Sequence, residues 1–243
     1  LTAGLMSVGC DVITVGVVPT PAVAYLIKKY EADCGVVISA SHNPVEYNGI
    51  KFFNQDGYKL DDEVELKIEE HIDNIEKVDY HPVGEKVGKK MHMHDAERHY
   101  IDYLKSIINV DFRGLKVVLD CANGAAYKIA PIVFDELGAS VVTINSDPNG
   151  NNINHSCGST HPQNLQQAVL SHKADLGLAY DGDADRLIAV DENGTIVDGD
   201  HIMILSAIYL KKKNKLAQDT LVVTVMSNIG LTIAAKEHGV KLA

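Results

Sequence analysis

The chain has 243 residues, 46% hydrophobic and 23% charged, with a formal net charge of −11 at neutral pH. That length suits two ordinary domains and part of a third, and the acidic balance excludes the broad basic footprint of a nucleic-acid-binding protein. No run approaches the roughly 18 apolar residues of a membrane span, and four scattered cysteines without a Cys-x-x-Cys pair (Cys10, Cys34, Cys121, Cys157) predict a reducing, cytoplasmic compartment rather than a disulfide framework.

In chain order, residues 11–15 predict a strand, 21–30 a helix opened by Pro21 in its first turn, and 35–38 a second strand. That strand runs into Ser39-Ala40-Ser41-His42-Asn43-Pro44, and a further strand resumes at Ile50-Lys51-Phe52-Phe53. Residues 61–75 carry Val64, Ile68 and Ile72 at helical spacing. Residues 78–90, with Pro82, Gly84 and Gly88 among charged side chains, read as a linker.

Beyond it, 95–108 predicts a helix with Tyr100, Tyr103, Leu104 and Ile107 on one side. A strand at 115–119, a helix at 124–137 closed by Gly138, and a strand at 140–144 follow. Then come a helix at 162–171, strands at 176–180 and 187–190, a helix at 201–209, a strand at 221–225 and a helix at 231–238. Short strands alternating with amphipathic helices imply an α/β protein of serial three-layer α/β/α domains with mixed, largely parallel sheets. The expected division is 1–90, 91–198 and a truncated third unit at 199–243.

The sharpest chemical signal is Asp181-Gly182-Asp183-Ala184-Asp185-Arg186, directly after an apolar strand. Alternating carboxylates converge on one point if the backbone curls, and hard oxygen ligands suit Mg²⁺ or Ca²⁺. A solvated acidic turn is the ordinary alternative, but two flanking apolar strands make it a poor description. An EF-hand would place Asp181, Asp183, Asp185 and Glu192 at positions one, three, five and twelve. It fails because Arg186 takes the glycine position and a strand follows where a helix is required. An aspartyl-nucleophile phosphatase would leave Asp185, Arg186 and the serine loop unexplained. Three carboxylates leave an octahedral cation short of ligands, which phosphate oxygens commonly complete.

Taken together, the serine loop before His42-Asn43-Pro44 and the later aspartate loop resemble the α-D-phosphohexomutases, and the resemblance covers essentially the whole chain. It implies that Ser41 carries a phosphoryl group, that Asp181, Asp183 and Asp185 bind Mg²⁺ with a phosphoserine oxygen of Ser41, and that a sugar bisphosphate is intermediate and activator. Ser39 and the stretches LDCANGAAYKIAPIVFDELGA (119–139), CGSTHPQNL (157–165) and TVMSNIGL (224–231) are similar to the branch acting on glucosamine phosphates. That branch implies a hexosamine phosphate substrate. The glucose- and mannose-phosphate branches, or a sugar-phosphate-binding role without catalysis, are the alternatives.

By the same resemblance Arg186 steadies the transferring group, while Lys51 and His42 occupy positions associated with proton transfer. A lysine serves as a base near neutral pH only if its surroundings lower its pKa, and His42 fits equally a structural role bracing the loop. The family's enzymes have four domains. The chain therefore reads as a fragment lacking the start of the first and most of the last two, with little or no turnover by itself. His92 and His94 read as surface residues, Asn123-Gly124 as a helix start, and Cys157 as a thiol without a catalytic partner.

Overall fold

The computed structural model describes residues 1–74 and 80–243. Residue 75 of the predicted helix and residues 78 and 79 of the predicted linker lie outside the described residues. The elements run α1 (Thr2–Ser7), β1 (Val12–Thr14), α2 (Thr20–Lys29), β2 (Cys34–Ser39), β3 (Gly49–Asn54), α3 (Asp62–Asp73), β4 (Lys90–His92) and α4 (Ala96–Ile107). They continue β5 (Lys116–Asp120), α5 (Ala126–Glu136), β6 (Ser140–Ile144), α6 (Gln163–His172), β7 (Leu176–Tyr180), β8 (Leu187–Asp191) and β9 (Ile196–Val197). Last come α7 (Gly199–Lys212), β10 (Thr220–Leu221), α8 (Ile229–Glu237) and β11 (Lys241–Leu242). No helix among the described residues is long and apolar enough to cross a membrane.

The architecture is α/β with mixed, partly parallel sheets. The central sheet has the order β6-β5-β7-β8-β9. β5 runs parallel to β6 and β7, whereas β7, β8 and β9 are joined antiparallel. Val117, Val118, Leu119, Leu178, Ala179 and Val190 are buried in this sheet. One face packs on Ala126 and Ala130 of α5, the other on Leu165 and Val169 of α6. Two buried faces explain the consecutive apolar residues Val117, Val118 and Leu119 in the middle of β5.

A second cluster joins the first and second units: Ala22 of α2 meets Tyr100 and Ile101 of α4 and Ile129 and Val133 of α5. Tyr25 and Tyr103 extend it by stacking at 4.2 Å. This packing matters for the site, because it fixes the start of α2 against the second unit.

Several sequence expectations are corrected. α1 was not anticipated. The linker expected at 78–90 is tied down at its C-terminal part: Gly88 N–H donates to Met6 O, Lys89 N–H donates to Asp11 Oδ1, and β4 begins at Lys90, parallel to β1. Glycine at 88 serves close approach, since a Cβ there would lie 1.9 Å from Cys10 O. The strand expected at 221–225 is only Thr220–Leu221, and Val222, Val225 and Met226 are exposed. α3 forms on its predicted spacing but has no fully buried residue: Ile68 is partly buried, while Val64 and Ile72 stay exposed. Ile107 likewise stays exposed while Tyr100 and Leu104 reach the core.

Candidate active site

The serine loop is the connection of an antiparallel hairpin. β2 pairs with β3 in the register Val37↔Lys51 and Ser39↔Gly49, so residues 40–48 project beyond the strands. The same register sets Lys51 three positions past the loop's end. Gly35 lets α2 lie against β2, where a Cβ would come within 2.4 Å of Ile27. Ser41 has φ 56, a left-handed conformation that a serine adopts only under constraint. Its N–H donates to Ser39 Oγ at 3.0 Å. Ser39 therefore shapes the loop.

The aspartate loop is also a hairpin connection, six residues between Tyr180 and Leu187, which pair directly. Asp181 braces its own loop: Oδ1 accepts from the N–H groups of Asp185 (3.2 Å) and Arg186 (3.1 Å). Gly182 makes room for the serine loop, because a Cβ would lie 2.5 Å from Ser41 O. Its N–H donates to that carbonyl at 3.1 Å. The two loops, 140 residues apart in sequence, thus meet through their backbones.

Asp183 is held from the first unit. Its Oδ2 accepts from Thr20 Oγ1 at 2.6 Å and from Lys51 Nζ at 2.5 Å, and its carbonyl accepts from Thr20 N–H at 2.9 Å. Lys51 Nζ also reaches Asp185 Oδ2 at 3.1 Å. Burial alone would lower the Lys51 pKa, but its bonds to the two aspartates outweigh burial and raise it. Lys51 is accordingly a firmly charged ion-pair partner here. The lowered pKa that a base would require is not found.

Burial pushes Asp181 up to about 6, with Asp183 and Asp185 adding to the rise. Burial is also the strongest influence on Asp183, in the upward direction. The Lys51 ammonium and the hydroxyls of Thr20 and Ser41 together overcome it and hold Asp183 below the usual carboxylate range. Arg186 Nε stands 3.7 Å from Asp185 Oδ1 and 4.0 Å from Asp181 Oδ2, with its side chain half exposed. His42 is only partly buried as a residue, yet its Nδ1 is a buried atom without a hydrogen-bond partner, so no brace is made through that nitrogen.

Ligand oxygens of Asp181, Asp183 and Asp185 lie within 4.8 Å of one another. Asp181 Oδ2 and Asp183 Oδ1 are buried without any hydrogen-bond partner. Buried polar atoms are normally paired, and three carboxylates exceed the charge that Lys51 supplies. The donor set fits a hard divalent cation, which would satisfy both orphaned oxygens and balance the charge.

Two contributors escaped the sequence reading. Thr20 had only its place before Pro21 at a helix start to mark it. Asn154, in a polar stretch with no motif to single it out, is 7% exposed and donates from Nδ2 to Ser41 O (2.7 Å) and Asn43 O (2.9 Å). His92 and His94 stand apart, exposed, with rings 4.4 Å apart at an edge-on angle. Cys157 is fully buried and its thiol is pushed up to about 12 by burial, which removes it from nucleophilic chemistry.

Three models of phosphoglucomutase/phosphomannomutase α/β/α domains match the chain: domain I at residues 1–79, domain II at 98–194 and domain III at 198–243. The chain is 79% identical to a phosphoglucosamine mutase of Clostridioides difficile (strain 630), over all of this chain and 54% of that protein. It is 60% identical to a phosphoglucosamine mutase of Thermoanaerobacter sp. (strain X514), with the same coverage of each. The chain therefore spans about half the length of the curated relatives it matches. Among solved structures, a phosphoglucomutase/phosphomannomutase family protein from Burkholderia thailandensis superposes with a TM-score of 0.78 at 27% identity, covering 99% of this chain and 53% of that one. The N-acetylphosphoglucosamine mutase of Aspergillus fumigatus, in complex with GlcNAc-6P and magnesium, shares the fold with a TM-score of 0.59 at 21% identity, covering 98% and 59%.

Proposed function

The chain belongs to the phosphoglucomutase/phosphomannomutase family, and on that premise we propose that it is part of a phosphoglucosamine mutase working through a phosphorylated Ser41. The full-length protein would interconvert glucosamine 6-phosphate and glucosamine 1-phosphate in the cytoplasm. One observation carries the reading: two buried carboxylate oxygens, Asp181 Oδ2 and Asp183 Oδ1, lack partners on a loop whose backbone is bonded to Ser41.

In the forward half-reaction the Oγ–P bond of phosphoserine 41 breaks and its electron pair stays on Oγ, which takes up a proton. A new P–O bond forms to the free hydroxyl of the sugar phosphate, whose proton departs. The resulting sugar bisphosphate turns in the site, and the reverse sequence returns its other phosphoryl group to Ser41. Mg²⁺ held by Asp181, Asp183 and Asp185 would supply a positive centre that offsets charge on the transferring group. Phosphoryl transfer has a loose transition state, so positioning and charge stabilisation outweigh nucleophile activation.

The chain's own residues have separate tasks in this scheme. The left-handed turn at Ser41 presents Oγ beyond the β2–β3 hairpin. Lys51, charged and beside the aspartates, donates toward Oγ as the P–O bond breaks, and His42 is the second candidate to carry a proton. Arg186 steadies the equatorial oxygens. The 79% and 60% identities to phosphoglucosamine mutases favour glucosamine phosphate over other hexose phosphates. Competition assays on the full-length protein test this: glucosamine 6-phosphate should be turned over in preference to glucose and mannose phosphates, and Ser41→Ala should abolish turnover. Equal or greater activity on glucose or mannose phosphate would overturn the substrate assignment.

A further inference from the structure

The serine loop is braced from within by Ser39 Oγ on the Ser41 N–H, and its carbonyls are held by a group from the second unit. Ser41 is left-handed, with φ 56. Its carbonyl accepts two hydrogen bonds, from Gly182 N–H at 3.1 Å and from Asn154 Nδ2 at 2.7 Å, which engage both lone pairs. The second Nδ2 hydrogen of Asn154 goes to Asn43 O at 2.9 Å. One amide nitrogen therefore bridges the carbonyls on either side of His42. Asn154 is itself anchored, since its N–H donates to Ala122 O at 2.9 Å, two residues beyond the end of β5.

Asparagine suits this position for a chemical reason. Two acceptors must be satisfied by one compact group, and a primary amide brings two N–H bonds on a single nitrogen. Aspartate has the same shape but would set acceptor against acceptor and add a negative charge next to the residue that carries the phosphoryl group. Alanine leaves the Asn43 carbonyl without this donor and the Ser41 carbonyl with one donor. A left-handed serine is conformationally costly, so loss of the clamp lets the loop relax.

We propose that Asn154 is a positioning residue for phosphoryl transfer: it fixes the left-handed backbone of Ser41 from across the domain boundary, so that Oγ is in place only when the two units are docked. This rests on the phosphoserine reading above. The substrate does not touch Asn154 in this role, so its loss should lower kcat and leave the KM for sugar phosphate nearly unchanged.

The test compares the full-length wild type with Asn154→Ala and the isosteric Asn154→Asp by two readouts. In hydrogen exchange, amides of residues 39–43 and Gly182 should exchange about tenfold faster or more in both variants, while amides of β5 and β7 keep wild-type protection. In single-turnover phosphorylation by a glucose or glucosamine bisphosphate, transfer to Ser41 should slow by about 100-fold, with KM within about twofold. Wild-type exchange in the serine loop, or a wild-type transfer rate, overturns the proposal. So does loss of protection throughout β5 and β7, which would make Asn154 a folding residue. If the wild type itself takes up no phosphoryl group, the phosphoserine reading fails and the kinetic role with it, while the exchange readout still decides whether Asn154 holds the loop.

Discussion

Lys51 Nζ lies 2.5 Å from Asp183 Oδ2, so a lysine of the first unit supplies a positive charge to a buried carboxylate of the second. The same ammonium reaches Asp185. A divalent cation on the aspartate loop would take the orphaned Asp181 Oδ2 and Asp183 Oδ1, while the Lys51 ammonium holds Asp183 Oδ2 and Asp185 Oδ2. The two positive charges would therefore share carboxylates, and occupancy by one would weaken the hold on the other.

Lys51→Met keeps the aliphatic stem and removes the charge. Divalent-cation affinity should rise about tenfold, because a competitor for Asp183 and Asp185 is gone. In chelator the variant should lose about 1–3 kcal/mol of stability, discounted from a fully buried pair because the lysine side chain is 26% exposed. Calorimetric titration with Mg²⁺ and thermal melts in chelator measure both. An unchanged affinity would remove the competition.

Gly182→Ala tests the contact between the loops. The added Cβ would lie 2.5 Å from both Ser41 O and Ile153 Cδ1. Forced accommodation of that kind costs about 1–3 kcal/mol, and the serine loop must move. A lowered melting temperature and faster exchange at residues 39–43 are expected; a variant with wild-type melting would show that the two loops do not approach so closely.

The cysteines should divide into two classes. Cys121 and Cys157 are fully buried and burial pushes both thiols up to about 12, whereas Cys10 and Cys34 are exposed. Alkylation of the native protein at pH 8 should modify Cys10 and Cys34 and spare the other two until denaturant is added. The sign of the linkage follows: the unfolded chain sheds these thiol protons near the ordinary value of about 8.5 while the folded chain keeps them. Their contribution to stability is full below that pH and falls as pH rises toward 12. A denaturation series from pH 7 to 10 should show the decline.

The site's contiguous motifs were legible in the sequence because each concentrates its chemistry in six adjacent residues. Ser41 and the three aspartates could be linked before any fold was known, and the structure brings their two loops into backbone contact through Gly182. Lys51 could be placed beside them from the returning strand, but not its charge state. That depends on Asp183, 132 positions away, and the pairing raises a pKa that catalysis by a base would want lowered. Thr20 and Asn154 were invisible as site residues because each is a single polar side chain whose partners lie more than 100 residues distant. Gly88 and the helical spacing of α3 show the converse. A glycine suggesting a loose linker permits close backbone packing, and an apolar stripe sufficient to predict a helix does not dictate what covers it.

Every role assigned above depends on Ser41 being the phosphoryl carrier opposed to the aspartate loop. Intact-mass measurement of the full-length protein, before and after incubation with a sugar bisphosphate and Mg²⁺, tests it most directly. The expected result is a gain of one phosphoryl group, located at Ser41, absent from Ser41→Ala and strongly reduced in Asp183→Asn. No gain in the wild type, or a gain that persists in Ser41→Ala, would contradict it.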